Sequence, residues 1–313
     1  MYVNLFDSEN LKTVFSGHET FPLRYGWLKK THDEVLKAES VERDAKDVFN
    51  DPASISAFGV GKNMVASMRH WATHTGVLKD NKLTDYAKEI LADDGLDPWM
   101  EHPTTLWLLH WHLARQESLV TYHWFFNYYN GTAFDRKFLN DEIFELCEKK
   151  RWKAPSATTL KRDVECFIRM YLSRDISQKA YDDDAIESPL AELSLIKPLN
   201  KNGFFVPNRG PKLNLTAGVF LLAVAHFWEE NHAQNSSLSF DALMYEAGAP
   251  GRVFLLDELS LLDLINFISN HFNDYVMWSE TAGMRQFTRN MKYSLADMKN
   301  KALALIREEY SHS

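Results

Sequence analysis

The stretch Phe58-Gly-Val-Gly-Lys-Asn-Met-Val-Ala-Ser-Met-Arg-His-Trp71 has the layout of the turn and second helix of a helix-turn-helix. Its glycines suit a tight turn, and the pattern predicts a helix from about Lys62 to Thr75 that Gly76 ends. At about 100° per residue, four apolar residues share one side of this helix and are expected to face a core. They are Val60, Met64, Met68 and Trp71.

The flanking sequence predicts the remaining parts of a winged helix-turn-helix. Asp51-Pro52 is a start signal for a short preceding helix that stops at Gly59. After the main helix, residues 77–84 predict a small hairpin with a polar tip, and Thr84 caps a further helix that runs to about Leu91. Short helix, glycine turn, helix, hairpin and helix is the order that such a domain requires.

The polar side of the main helix and the hairpin tip carry residues suited to DNA. Basic side chains contact phosphates, amides read base edges, and the small Ala66 lets the helix lie close to a groove. The predicted DNA-binding residues are Lys62, Asn63, Arg69, His70, Lys79 and Lys82. The alternative is an ordinary amphipathic helix with a solvated polar face.

Composition limits the class without deciding the function. The chain has 313 residues, is 45% hydrophobic and has a formal net charge of −8. An acidic total does not exclude DNA binding, because the local field decides. No run of 18 apolar residues predicts a membrane span, and the N-terminus has no signal-peptide pattern. Two cysteines, Cys147 and Cys166, indicate reduced thiols and a cytoplasmic protein.

A second polar motif precedes the helix-turn-helix. Residues 15–24 read Phe-Ser-Gly-His-Glu-Thr-Phe-Pro-Leu-Arg, and Pro22 predicts the first turn of a helix to about Lys37. His18, Glu19 and Arg24 are candidate catalytic residues, since they offer an acid or base and a phosphate clamp. Glu19 is also the candidate ligand for Mg²⁺ or another divalent cation. The alternative is that His18 and Glu19 cap and brace the helix.

The remainder of the chain predicts further helical units. Residues 156–172 predict a helix capped by Ser156, and residues 239–265 predict helix, Gly-Ala-Pro-Gly turn, short strand and helix. We therefore predict a mainly α fold of tandem winged-helix or helix-turn-helix-like units with small β wings. The predicted domains are a polar loop with a winged helix (1–135), a basic helical middle segment (136–210) and a winged-helix-like domain (211–313).

Four motifs carry a resemblance to a known family. They are Phe15–Arg24, Gly59–Val65, Trp107-Leu-Leu-His-Trp111 and Pro250-Gly-Arg-Val-Phe254. The chain resembles the SspB-type components of bacterial Ssp DNA phosphorothioation systems, a family formerly known as a domain of unknown function. The resemblance implies a phage-defence setting in which a cysteine desulfurase, an ATPase and a reductase-like protein place sulfur in the DNA backbone. SspB is regarded there as the nicking component.

Three functions stay open at this point. The first is a DNA-nicking endonuclease that permits sulfur incorporation, and the second is a non-catalytic DNA-binding adaptor that recruits the sulfur-transfer enzymes. The third is a winged-helix transcription regulator, which does not account for the His-Glu-Thr loop. The sequence contains no recognised nuclease pattern. Gly59-Val-Gly-Lys is not a phosphate-binding Walker loop, because it lacks the required spacing.

Overall fold

The computed structural model describes residues 11–173, 188–199, 203–281 and 283–311. The fold is mainly α with small sheets of two and three strands, as the sequence predicts. The expectations for the first ten residues lie outside the described part. Within that part, no helix is both long and apolar enough to cross a membrane.

The elements of the helix-turn-helix region follow the predicted order. They are α1 (Trp27–Glu39), α2 (Ala45–Asn50), α3 (Ser54–Phe58), α4 (Lys62–His74), β1 (Leu78–Lys79), β2 (Lys82–Leu83) and α5 (Asp85–Leu91). Gly59 ends α3 in the left-handed conformation, at φ 65°, which glycine adopts without steric cost. The Thr84 side chain accepts a hydrogen bond from the backbone N–H of Ala87 and so caps α5. The predicted α4, hairpin and α5 are confirmed.

A helical layer and a short hairpin follow. The elements are α6 (Pro103–Arg115), α7 (Val120–Tyr128), α8 (Arg136–Lys150), α9 (Ala157–Tyr171), a 3₁₀ helix (Pro189–Leu193), β3 (Ile196–Pro198) and β4 (Phe205–Pro207). Strands β3 and β4 pair antiparallel, with Ile196 opposite Pro207. Ser156 caps α9 through the backbone N–H of Thr159, which confirms the predicted start.

The C-terminal part repeats the alternation of helices with a hairpin. Its elements are α10 (Ala217–His232), β5 (Ser237–Ser239), α11 (Phe240–Tyr245), α12 (Pro250–Val253), α13 (Glu258–His271), β6 (Val276–Thr281), β7 (Met284–Arg289) and α14 (Leu295–Tyr310). The strand order is β5-β7-β6, antiparallel throughout, with Val276 opposite Arg289. The prediction of a short strand after the Gly-Ala-Pro-Gly turn is wrong. Residues 250–253 form a helical turn because Pro250 starts it and the Ala249 carbonyl accepts from Val253.

The described chain divides into two compact units. One contains residues 11–124 and 130–207 with their gaps, and the other contains residues 125–129 and 208–311. The three predicted domains, 1–135, 136–210 and 211–313, stay a prediction. The first core is rich in buried tryptophans and phenylalanines, including Trp71 and Trp107, and the second is built around Trp228.

The predicted helix from Pro22 to Lys37 starts too early. Helix α1 begins at Trp27, after Gly26 in the left-handed conformation at φ 74°. The Phe21 carbonyl instead accepts hydrogen bonds from the Trp71 indole N–H, at 2.9 Å, and from the Ser67 hydroxyl, at 3.3 Å. Because these hydrogen bonds occupy the Phe21 carbonyl, it does not accept a helical hydrogen bond, and no helix begins at Pro22.

Candidate nucleic-acid interface and the loop behind it

The outer side of α4 is polar and carries no acid. Lys62, Asn63, Ala66 and Thr73 are exposed, whereas Met68 and Trp71 are fully buried. Val60 and Met64, predicted for the core side, are only half-buried. The exposed residues combine a cation, an amide and a small side chain, the residue types that suit contact with a phosphate and a groove.

Arg69 is held between α4 and the hairpin. It is half-buried, its guanidinium donates to the Asn81 side-chain oxygen at 3.1 Å, and its guanidinium carbon lies 5.8 Å from the centre of the Phe49 ring. Both contacts restrict the side chain and leave it beside the polar side of α4. Arg69 therefore ties the hairpin turn to the helix and fixes a positive charge where the two elements meet.

The hairpin presents two more cations. Lys79 and Lys82 are exposed and lie directly opposite each other in the β1–β2 pair. Asp80 and Asn81 form the turn with φ of 51° and 58°, a two-residue connection in which both central residues adopt positive φ. Like charges at facing positions repel, so this pair costs stability unless an anion lies between or beside them.

His70 does not lie on the exposed side. Its side chain is 9% exposed, and the predicted position on the polar side of α4 is wrong. The ring packs edge-on against Trp71 with centroids 4.6 Å apart and lies 4.5 Å from His74. Burial, followed by the neighbouring His74 and His18, lowers its pKa well below 6.5. A β-carbon on Gly17 would lie 2.9 Å from His70 Nδ1, so the N-terminal loop covers this ring.

His18 is the buried anchor of that loop. Its Nδ1 accepts from the Thr20 backbone N–H at 3.1 Å, so its Nε2 carries the hydrogen that it donates to Asp163 Oδ1 at 3.2 Å. Asp163 Oδ2 accepts from the Thr121 hydroxyl at 2.5 Å, and both partners are buried. The imidazole also stacks on the Trp71 ring, with centroids 6.1 Å apart. This network joins the loop to α4, α7 and α9.

Opposing effects act on the pKa of His18. Burial lowers the pKa, but the hydrogen bonds with Asp163 and Cys166 raise it by more, so that the pKa of His18 reaches about 10. The Thr20 N–H on Nδ1 favours the neutral ring and limits the rise, because a protonated Nδ1 cannot accept that hydrogen bond. His18 is therefore a positioned donor toward a buried carboxylate, and it is only 3% exposed.

The loop is conformationally unusual at its exposed tip. Glu19 and Thr20 both have positive φ, 47° and 71°, and both are exposed. Consecutive positive φ at residues other than glycine is uncommon and costly, most of all for a β-branched residue. The His18 network and the hydrogen bond from Arg169 to the Thr20 carbonyl hold this conformation. The loop thus presents Glu19 outward while His18 points inward.

Arg24 lies against aromatic rings. Its guanidinium carbon is 5.3 Å from the centre of the Phe21 ring and 5.6 Å from that of the Trp27 ring. Such stacking stabilises the turn into α1 and keeps the cation half-buried. His18, Glu19 and Arg24 therefore face three different surroundings, a buried carboxylate, the surface and an aromatic pair.

The carboxylates do not form a preformed metal cage. Among the residues that the structure describes, no group of three or more His, Cys, Asp or Glu side chains is arranged to hold a metal ion. Mg²⁺ accepts one or two carboxylates when waters and phosphate oxygens complete its shell. Glu19 is a single exposed carboxylate and does not by itself form a resident metal site.

The sequence did not predict Asp163 and Thr121 as partners of His18. They lie 145 and 103 positions from His18 in the chain. One signal was present, since Asp163 falls within the apolar stripe of α9 that includes Leu160, Val164 and Phe167. A carboxylate inside such a stripe must find a partner when it is buried, which marks it as part of a polar network.

The chain belongs to a family described as "Protein of unknown function (DUF4007)", whose model matches residues 15–308. Two solved structures share its fold. One is magnesium-ion-bound SspB, 23% identical, covering 95% of this chain and 88% of that chain, with a TM-score of 0.81. The other is an SspB crystal structure, 24% identical with the same coverage and TM-score. No curated protein matches the chain. At these identities, the likeness to SspB shows the fold.

Proposed function

We propose that this protein is a DNA-binding component of a DNA backbone phosphorothioation system. It contacts duplex DNA through the exposed side of α4 and the β1–β2 hairpin. Membership of the DUF4007 family and the fold shared with SspB support the setting. The proposed partners are DNA and the cysteine desulfurase, ATPase and reductase-like proteins of such a system.

One observation carries the DNA-binding proposal. The sequence from α4 to β2 contains one acid, Asp80, and four cations, in a chain whose total charge is −8. The cations are Lys62, Arg69, Lys79 and Lys82. The three lysines are exposed and Arg69 is anchored between helix and hairpin. A local positive surface on an acidic protein concentrates an anionic partner at that surface.

In this proposal the two elements have different tasks. An α-helix fits the major groove, where the exposed Asn63 and Ala66 of α4 would approach base edges. The hairpin lysines would contact phosphates beside the groove, which positions the protein without reading sequence. The repulsion between Lys79 and Lys82 would then be relieved by the bound phosphates.

The test is the salt dependence of binding to a labelled DNA duplex. Replacement of Lys62 and Arg69 by alanine is expected to flatten the slope of log affinity against log salt by roughly one to two units. Lys292→Ala with Arg307→Ala removes the same two charge types from the other unit and is the matched control. Equal slopes for the parent and the Lys62/Arg69 variant, both folded, would exclude α4 as the interface.

Nicking is the second proposed activity, and the strained loop favours it. Glu19 is exposed and has a positive φ, a strained backbone conformation that is often found at functional sites. As a carboxylate it can take a proton from a water whose oxygen attacks the phosphorus of a DNA phosphodiester placed beside it. One P–O bond to a sugar breaks in this step, and the departing sugar oxygen takes a proton from solvent. His18 holds the loop from behind, and Arg24 remains a candidate phosphate clamp.

A supercoiled-plasmid assay, with Mg²⁺ and with EDTA, tests this activity. Glu19→Gln is expected to abolish nicking while DNA affinity and melting temperature stay near the parent values. Glu42→Gln is the matched control, because Glu42 is also exposed with a positive φ, 58°. A parent protein that binds DNA and never nicks it would be the non-catalytic adaptor, and the Glu19 proposal would be wrong.

A further inference from the structure

Helix α13 carries an exposed stripe on the C-terminal unit. Leu259 and Phe267 are 75% and 45% exposed, although large apolar side chains are usually covered. The exposed residues follow helical spacing along one face and are Leu259, Asp263, Asn266, Phe267 and Asn270, called here the α13 face. The eight-residue separation of the two apolar residues corresponds to about 12 Å along the helix axis.

The charge of this face is opposite to that of α4. Helix α13 contains Glu258 and Asp263 and no lysine or arginine. The nearby Arg285 is already engaged, with its guanidinium 4.0 Å from Glu258 and its guanidinium carbon 3.7 Å from the centre of the Phe240 ring. Because these charges repel phosphates, the α13 face is poorly suited to DNA.

The apolar part of the face is ordered. The His271 ring stacks on Phe267 with centroids 4.0 Å apart and planes 23° from parallel. His271 Nδ1 also donates to the Phe267 carbonyl at 2.8 Å, which fixes the imidazole. A ring that is already held loses little conformational freedom on contact, so Phe267 is a preorganised anchor.

We propose that the α13 face docks a basic amphipathic helix of a partner protein. Apolar residues about two turns apart on such a helix would cover Leu259 and Phe267, and a lysine or arginine between them would meet Asp263. In this mode of recognition, apolar anchors supply affinity and charge selects the partner. The unit whose helix order resembles that of a DNA reader would thus bind protein.

The experiment uses the full chain and a synthetic amphipathic helical peptide built from leucine, alanine and lysine. Its control carries glutamate in place of every lysine. Titration calorimetry at moderate salt is expected to show binding of the lysine peptide and at least tenfold weaker binding of the glutamate peptide. Leu259→Ser with Phe267→Ser should weaken binding of the lysine peptide at least tenfold, and Asp263→Lys several-fold. Leu303→Ser, a half-exposed leucine of α14, should leave it unchanged.

Three results would overturn the proposal. The first is absence of binding, or equal binding of both peptides. The second is a parent protein that dimerises in sedimentation while the Leu259/Phe267 variant is monomeric, because the face would then be covered by a second copy. The third is loss of duplex DNA affinity in the Asp263→Lys or Leu259/Phe267 variants with unchanged melting. Failure here leaves the α4 proposal intact, since the Lys62/Arg69 salt slope tests that separately.

Discussion

Helices α4 and α13 occupy the same place in two similar runs of elements. Each follows a short helix and a turn, and each precedes a two-stranded hairpin and a further helix. The buried side of α4 includes the polar Ser67 and His70, whereas the buried residues of α13 are leucine and isoleucine. Helix α4 contains basic residues and no acid, and α13 contains acids and no lysine or arginine. The same local architecture therefore presents opposite charge, and in the two proposals above the exposed residues decide the kind of partner.

The largest expected effect tests which side of each helix belongs to a core. Trp71→Ala should lower the free energy of unfolding by about 3–5 kcal/mol, because Trp71 is fully buried and its removal leaves a cavity. Phe267→Ala on α13 removes an exposed ring and should cost less than about 0.5 kcal/mol. Urea unfolding of both variants checks this. Similar losses for the two would mean that the α13 face is covered in the folded chain.

The next effect concerns the support behind α4, for which α13 shows no counterpart in the described residues. Asp163→Asn should cost about 3 kcal/mol at neutral pH, because an amide has one acceptor oxygen where the carboxylate has two, so that His18 or Thr121 loses its buried partner. It should also change the pH dependence. A His18 pKa raised from 6.5 to about 10 adds stability that is complete below pH 6.5 and is lost as pH rises toward 10.

Unfolding free energies measured from pH 6 to pH 10 should therefore fall with pH in the parent more steeply than in Asp163→Asn. The difference between the two curves isolates His18 from lysines and tyrosines that titrate at high pH. Parallel curves would show that His18 stays neutral in the folded protein, as the Thr20 N–H on its Nδ1 favours.

A smaller effect compares a glycine in each unit. Gly17→Ala should cost about 1–3 kcal/mol, since φ is 102° and the new β-carbon would meet His70. Gly283→Ala, at the tip of the β6–β7 hairpin, has φ 79° and no atom within 4 Å, so only backbone strain of about 1 kcal/mol is expected. Thermal melting ranks the two. A larger loss at Gly283 would show that the loop does not press on His70.

The smallest effect compares the hairpins. Lys82→Ala should reduce the salt slope of DNA binding by roughly one unit, as for a single phosphate contact. Lys292→Ala, which removes an exposed cation just after the other hairpin, should leave the slope unchanged. Fluorescence anisotropy across a range of salt concentrations measures both. A flatter slope in Lys292→Ala would place DNA on the C-terminal unit and remove the contrast between the two helices.

The sequence by itself determined the elements from α3 to α5. Gly59, the Thr84 cap and the polar turn at Asp80-Asn81 act over a few residues, so their consequences can be read from neighbouring positions. The exposure of Lys62 follows from the helical spacing of the apolar residues in α4, and Lys79 and Lys82 are exposed because they flank the polar hairpin turn. The mainly α fold with small β wings was predictable for this reason.

Only the tertiary structure decided what lies behind α4. The periodicity placed His70 outward, but the N-terminal loop covers that side of the helix and buries it. His18 forms a hydrogen bond with Asp163, which lies 145 positions further along the chain. The Phe21 carbonyl accepts a hydrogen bond from Trp71, and α1 begins at Trp27, later than the sequence predicts. Hydrogen bonds and packing between distant segments outweigh local helix signals here, because a buried polar group must be satisfied wherever its partner lies in the chain.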